Sequence, residues 1–172
     1  MTFLLIIAGI IALFLIIALI SRRSYNVRSE VIINAPREKV FDYIKQLKNQ
    51  DNFNKWVMVD PNMKREFKGT DGTVGFIYGW NGNKKAGEGE QEIKAITEGK
   101  SIDTEIRFVR PFAGIAYVNM STETIAENQT KLSWSNVSKM AYPMNIMISM
   151  IEKMLVKDMD TSLANMKRIL EK

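Results

Sequence analysis

Glu88, Glu90 and Glu92 stand two apart in one segment, and Arg107 and Arg110 follow about one strand later. Carboxylates gathered near a guanidinium are raw material for acid–base chemistry. Alternation argues against that use. Gly87, Gly89, Gln91 and Ile93 take the opposite parity, so the glutamates fall on a solvated strand face. Three uncharged polar residues, Gln91, Thr122 and Asn136, share parity with apolar neighbours. Each is a candidate to orient a ligand or to bond adjacent backbone. The chain has no His and no Cys. Ser–His–Asp and Cys–His machinery, thiol chemistry, disulfides and iron–sulfur ligation are therefore excluded, and the commonest zinc ligands are missing. An enzyme built on this chain must use Asp, Glu, Lys, Tyr or polarised water. Gly87 and Gly89 open no helix, so they cradle no phosphate. No cofactor and no metal are expected.

The elements that must position these residues follow from hydrophobic period. Phe3 to Ile20 is apolar on every side and carries no charge. As a helix it measures about 27 Å, enough to span a bilayer. No basic residue precedes it and no small-residue cleavage site follows, which favours an uncleaved anchor over a signal peptide. Residues 1–23 are read as the transmembrane anchor and 24–172 as one domain. Arg22, Arg23 and Arg28 lie just after the span, so the positive-inside rule puts that domain in the cytoplasm. The net charge of +5 is spread among acidic residues without a basic stripe, and nucleic acid is not an expected partner. The chain carries no mark of its oligomeric state.

Within the domain, Tyr25 to Ile33 alternates as a strand. Asn34-Ala35-Pro36 then starts a helix, with Pro36 suited to the first helical position. A second short helix is expected over Asp51 to Trp56. Strands are expected over Met63–Lys68, Val74–Trp80, Ala86–Thr97, Ser101–Arg110, Ile115–Ala126 and Thr130–Met140. Short turns join them, Asn81-Gly82-Asn83 most clearly, so an antiparallel meander is implied. Met144 to Glu171 carries one apolar stripe at spacings of three and four, the pattern of a long amphipathic helix. The class is α+β, with a curved sheet around the last helix.

Val31-Ile32-Ile33-Asn34-Ala35-Pro36-Arg37-Glu38-Lys39-Val40-Phe41-Asp42-Tyr43-Ile44 resembles the opening of the START-like, Bet v 1-like superfamily, in its polyketide cyclase/dehydrase (SRPBCC) branch. Tyr78-Gly79-Trp80-Asn81-Gly82-Asn83, Gly87-Glu88-Gly89, Leu132-Ser133-Trp134 and the terminal helix agree in order. The resemblance covers Tyr25 to Lys172. It implies a helix-grip fold, with seven antiparallel strands around the last helix, and an internal cavity for a lipid-like or polyketide-like ligand. It does not by itself imply catalysis.

If there is a cavity, alternation nominates its lining. Tyr78, Trp80, Gln91, Ile106, Phe108, Val118, Met120, Thr122, Trp134 and Asn136 would face inward from the sheet. Met140, Met147, Ile151 and Met154 would close it from the helix side, where methionine suits an adaptable wall. The same residues are equally the material of a plain core. The leading expectation is a membrane-anchored domain that binds a hydrophobic small molecule without catalysis. An interaction or stress-related module with a filled core ranks next. A cyclase or dehydratase acting on an apolar substrate ranks last.

Overall fold

The structure, a computed structural model, describes residues 1–172. Helix α1 (Thr2–Ile20) is followed by strand β1 (Ser24–Ile33) and helix α2 (Arg37–Lys45). A 3-10 turn (Leu47–Asn49) leads to two single-turn helices, α3 (Gln50–Phe53) and α4 (Lys55–Met58). Then come β2 (Lys64–Lys68), β3 (Ile77–Asn81), β4 (Glu88–Thr97), β5 (Ser101–Arg110), β6 (Gly114–Ala126) and β7 (Gln129–Lys139). A second 3-10 turn (Met144–Met147) opens the last helix, α5 (Ile148–Leu170). The sheet is antiparallel throughout, in the order β1-β7-β6-β5-β4-β3-β2. This is the curved antiparallel sheet around a last helix expected from the order of elements, and the helix-grip fold that the resemblance implied.

Local differences have physical causes. Pro36 is extended and stands one residue before α2, which begins at Arg37. The expected strand from Val74 starts only at Ile77, because Gly75 takes a positive φ of 86° and Val74 turns outward. The pairing nevertheless reaches back past the break, since Phe76 O accepts from the Ile93 amide at 3.0 Å. The single short helix expected at residues 51–56 is two turns broken at Asn54. There the Asn54 side chain accepts the Trp56 amide at 3.0 Å and caps α4.

The core lies between the concave sheet face and α5. Ile33, Ile93, Ile102, Leu132 and Met120 meet Met159, Leu163, Met166 and Leu170, with Val40, Phe41 and Ile44 of α2 packed in the same cluster. The outer face of β4 and β5 is polar, as parity required. Arg107 there reaches Glu90 at 2.7 Å, Glu92 at 2.8 Å and Glu105 at 2.5 Å. Hydrogen bonds from Lys94 and then Arg107 hold the Glu92 carboxyl below its usual range. Arg107 and Lys94 offset the charge of these glutamates, which face away from the interior.

Helix α1 is exposed along nearly its whole length, with only Ala18 buried. Its C-terminal carbonyls are taken up by the domain. Asn145 Nδ2 donates to Ala18 O at 2.7 Å and to Ser21 O at 3.1 Å, and Tyr142 Oη donates to Leu15 O at 3.3 Å. Open helix-end carbonyls are thus satisfied by a side chain 127 residues away in sequence.

Gly89 is required by close approach. A Cβ on it would stand 2.6 Å from Arg107 O and 2.7 Å from the Trp80 ring. Gly89→Ala is expected to destabilise the protein by about 1–3 kcal/mol through overpacking and to shift tryptophan emission as Trp80 is displaced. Denaturant unfolding followed by fluorescence measures both.

Candidate functional site

Strand register decides where the sheet is hollow. Ser24 pairs with Lys139, Ser138 with Ala116, Gly114 with Phe108, Arg110 with Glu88, and Glu88 with Asn81. One end of the sheet therefore collects the exit of α1, the β5–β6 turn and the β3–β4 turn. A cavity of about 240 Å³ opens at this end. That is slightly below the usual range of about 300–1,000 Å³ for small-molecule sites. Its mouth is set by the exposed residues Lys85, Phe108, Arg110 and Pro111.

The wall is mostly apolar and aromatic. All three tryptophans of the chain, Trp56, Trp80 and Trp134, stand on it. Trp134 meets Trp56 edge-on at 5.8 Å and Phe53 edge-on at 6.4 Å between ring centroids. Trp80 meets Phe108 edge-on at 6.1 Å. Such edge contacts hold rings in place beyond what burial alone does. Trp80 is further tied by its indole N–H to Ala86 O at 3.2 Å.

Of the residues nominated by alternation, Tyr78, Trp80, Gln91, Ile106, Phe108, Val118, Trp134 and Asn136 are brought together on this wall. Six others are not. Met120 and Thr122 point inward but lie toward the filled end of the sheet. Met120 packs in the core, and Thr122 Oγ1 donates to Gly99 O at 3.2 Å. Met140 follows the end of β7, where its amide donates to Arg23 O. Met147 belongs to the 3-10 turn that precedes α5. Ile151 stands one turn before Leu155 and is only partly buried, and Met154 lies off the inward line of α5. At 100° per residue Met154 sits roughly 140° round from Met159, and it is 53% exposed. Leu155, from the same stripe, takes the place assigned to them.

Gln50, Asn54, Trp56 and Val57 of the short-helix segment, with Met63 just before β2, also line the cavity and were not nominated. No periodicity marks them. They are held by contacts with α5: Trp56 Nε1 donates to Asp158 Oδ2 at 3.1 Å, Lys55 N to Ser162 Oγ at 3.0 Å, and Asn165 Nδ2 to Phe53 O at 3.1 Å. Tyr25 was not nominated either, although its parity with Val27 on β1 is a signal that could have found it. Lys85, Ala86, Arg110 and Pro111 come from turns and strand ends.

One group on the wall has acid–base character. Tyr78 Oη donates to Asp51 Oδ1 at 2.5 Å and accepts from Arg65 Nε at 3.1 Å, while Arg65 also reaches Asp51 Oδ2 at 2.9 Å. Burial, then the Asp51 carboxylate, pushes the Tyr78 phenol well above the usual tyrosine range. Its proton is committed to Asp51, so the trio joins α3, β2 and β3 and offers no ready acid near neutrality. No group of three or more acidic side chains is placed to hold a metal ion.

Residues 24–171 match the family described as polyketide cyclase / dehydrase and lipid transport. No curated protein matches the chain in sequence. Among solved structures, truncated norcoclaurine synthase from Thalictrum flavum aligns with a TM-score of 0.67 at 12% identity, over 89% of this chain and 98% of that one. The same enzyme in complex with dopamine and hydroxybenzaldehyde aligns at 0.65 and 11%, over 90% of each chain. Major latex-like protein 151 from Panax ginseng aligns at 0.62 and 14%, over 87% and 99%. At these identities the likeness is one of fold.

The Tyr78 phenol gives a pH signature. Its folded pKa is raised, so its contribution to stability is complete below about pH 10 and is lost as pH climbs toward the folded value. Tyr78→Phe is expected to be about 1 kcal/mol less stable at neutral pH. It should also lose stability less steeply than wild type above pH 10, as measured by denaturant midpoints across the alkaline range.

Proposed function

The chain belongs to the polyketide cyclase/dehydrase and lipid transport family, and from that premise we propose that it binds an apolar small molecule, without transforming it, in a domain tethered to a membrane by α1. The observation that carries this reading is the position of the cavity. Its mouth lies at the end of the sheet from which α1 leaves. A tether at that end holds the opening close to the bilayer, where apolar molecules are concentrated.

Other features support the reading. Val109, Phe112, Tyr142, Met144, Met150 and Met154 are exposed apolar side chains in or beside the segments around α1 and the mouth. Residues of this kind suit the apolar side of a headgroup region. The Asn145 cap on α1 restrains the tilt of the domain against its tether. Arg22 and Arg23, just past the span, favour the cytoplasmic side for the domain. The absence of catalysis is inferred from the commitment of Tyr78 to Asp51 and from the distance of the glutamate cluster from the interior.

Two measurements test the reading. The chain lacks cysteine, so an Ala164→Cys variant carries a single reporter thiol on the exposed side of α5. It is expected to stay in the membrane pellet after carbonate extraction and to react with a membrane-impermeant maleimide only in permeabilised cells. Labelling in intact cells would reverse the topology. For the cavity, native mass spectrometry of the full chain is expected to find a co-purifying apolar molecule in wild type and none in Ile106→Trp, which fills the cavity. A wild-type protein that is empty and takes up no apolar aromatic probe would end the ligand-binding reading.

A further inference from the structure

Three residues that line the cavity each carry a buried polar atom with no hydrogen-bond partner in the protein: Gln50 Nε2, Trp134 Nε1 and Asn136 Oδ1. Their residues are 8%, 4% and 5% exposed. Buried polar groups are almost always paired, and leaving one unpaired is costly. Of seven such atoms in the protein, three belong to residues of this one mostly apolar cavity, where a bound molecule is the candidate partner.

The surroundings decide which way the Gln50 amide donates. The Trp56 backbone N–H requires an acceptor and takes Asn54 Oδ1. Asn54 Nδ2 must then donate, and it does so to Gln50 Oε1 at 3.0 Å. Gln50 is left with its N–H2 group free. The indole of Trp134 can only donate. The wall therefore offers two neutral donors, and Asn136 adds an unpartnered amide, which can accept from a hydroxyl.

Depth and charge narrow the class further. Trp134 lies five residues inside the mouth end of β7, about 17 Å along the strand. The cations on the wall, Lys85 and Arg110, stand at the mouth, and Arg110 is already engaged by Glu88 at 2.7 Å and by Asn81 at 2.7 Å. An ionised carboxylate pushed down to Trp134 would be buried without a counter-charge, which is strongly unfavourable. A carbonyl or hydroxyl oxygen meets the same donors without that penalty.

Resting on the ligand-binding reading, we propose that the ligand is an apolar molecule carrying a neutral oxygen group, a ketone, ester or alcohol, inserted first. Trp134 Nε1 and Gln50 Nε2 donate to this oxygen, and a hydroxyl in addition donates to Asn136. The apolar remainder lies along Trp80, Ile106 and Phe108 toward the mouth. An anionic end, if the ligand has one, points outward.

The three cavity tryptophans make the test direct. Full-length protein in lipid nanodiscs is titrated with tetralin, 1-tetralone, 1-tetralol and tetralin-1-carboxylate, following intrinsic fluorescence. Wild type is expected to bind the ketone and alcohol more tightly than the carboxylate. Trp134→Phe and Asn136→Leu remove the polar atoms and keep the bulk. Trp134→Phe is expected to lower the ketone-to-tetralin affinity ratio about fivefold, the worth of one net hydrogen bond. Asn136→Leu should lower the alcohol-to-tetralin ratio similarly. Using ratios cancels partition into the lipid. Carboxylate binding tighter than the ketone, or ratios unchanged in both variants, would overturn the inference while leaving the cavity reading intact. Should even tetralin fail to bind wild type, the cavity reading falls and takes the inference with it. The wild-type series stands even if a variant does not fold.

Discussion

The grip of the sheet on α5 is the contact from which the rest of the molecule follows. It is uneven along the helix. Met159, Leu163, Met166 and Leu170 are buried to 3% exposure or less against the sheet and α2, so that end is solid. Toward its N-terminus the helix loosens this burial between Met159 and Ile148, which is itself buried again at the first turn. Met150 and Met154 are more than half exposed and Leu155 is only partly covered. Seven curved strands enclose more volume than half a helix can occupy. The unfilled half is the cavity, and it falls at the end where β1 begins and α1 departs.

What closes that half is a set of specific polar contacts in place of a continuous apolar interface. Asp158, Ser162 and Asn165 on α5 hold α3 and α4 in place through Trp56, Lys55 and the Phe53 carbonyl. Asp51, Arg65 and Tyr78 bind the same segment to β2 and β3. Two single-turn helices are not stable on their own. Their geometry is borrowed from α5 and the sheet, and through them Gln50, Asn54 and Trp56 become part of a wall. The same segment supplies one of the two donors that favour an oxygenated ligand over a hydrocarbon.

The outer face solves a separate problem. Glu90, Glu92 and Glu105 on β4 and β5 would repel one another across the strand pair, and Arg107 lies among them and bonds to each. Carboxylates at alternate positions thus resemble an acid–base site in a linear reading, yet serve the sheet. Tyr78 shows the converse. It reads as a bulky core residue, and its hydroxyl sits in a charged contact that reaches the cavity wall.

Local pattern was enough to set the elements and their faces. Period two on β1 and β4 to β7, period three to four on α5, and the Ala35-Pro36 helix start are local properties, set by backbone geometry and by the need to bury one face. Eight inward-facing residues, Tyr78 and Trp134 among them, were legible for that reason. Depth was not. Parity says that Met120, Thr122 and Asn136 all point inward, but whether an inward residue meets solid core or open space depends on how far α5 fills the sheet above it. The phase of α5 was equally hidden, since a stripe wide enough to include Met154 is wider than the face that finally packs. The short-helix wall, the Asn145 cap on α1 and the orphaned atoms of Gln50, Trp134 and Asn136 were decided only in the tertiary structure. Each depends on residues tens to more than a hundred positions apart being brought within a few ångströms, and no local pattern encodes that meeting.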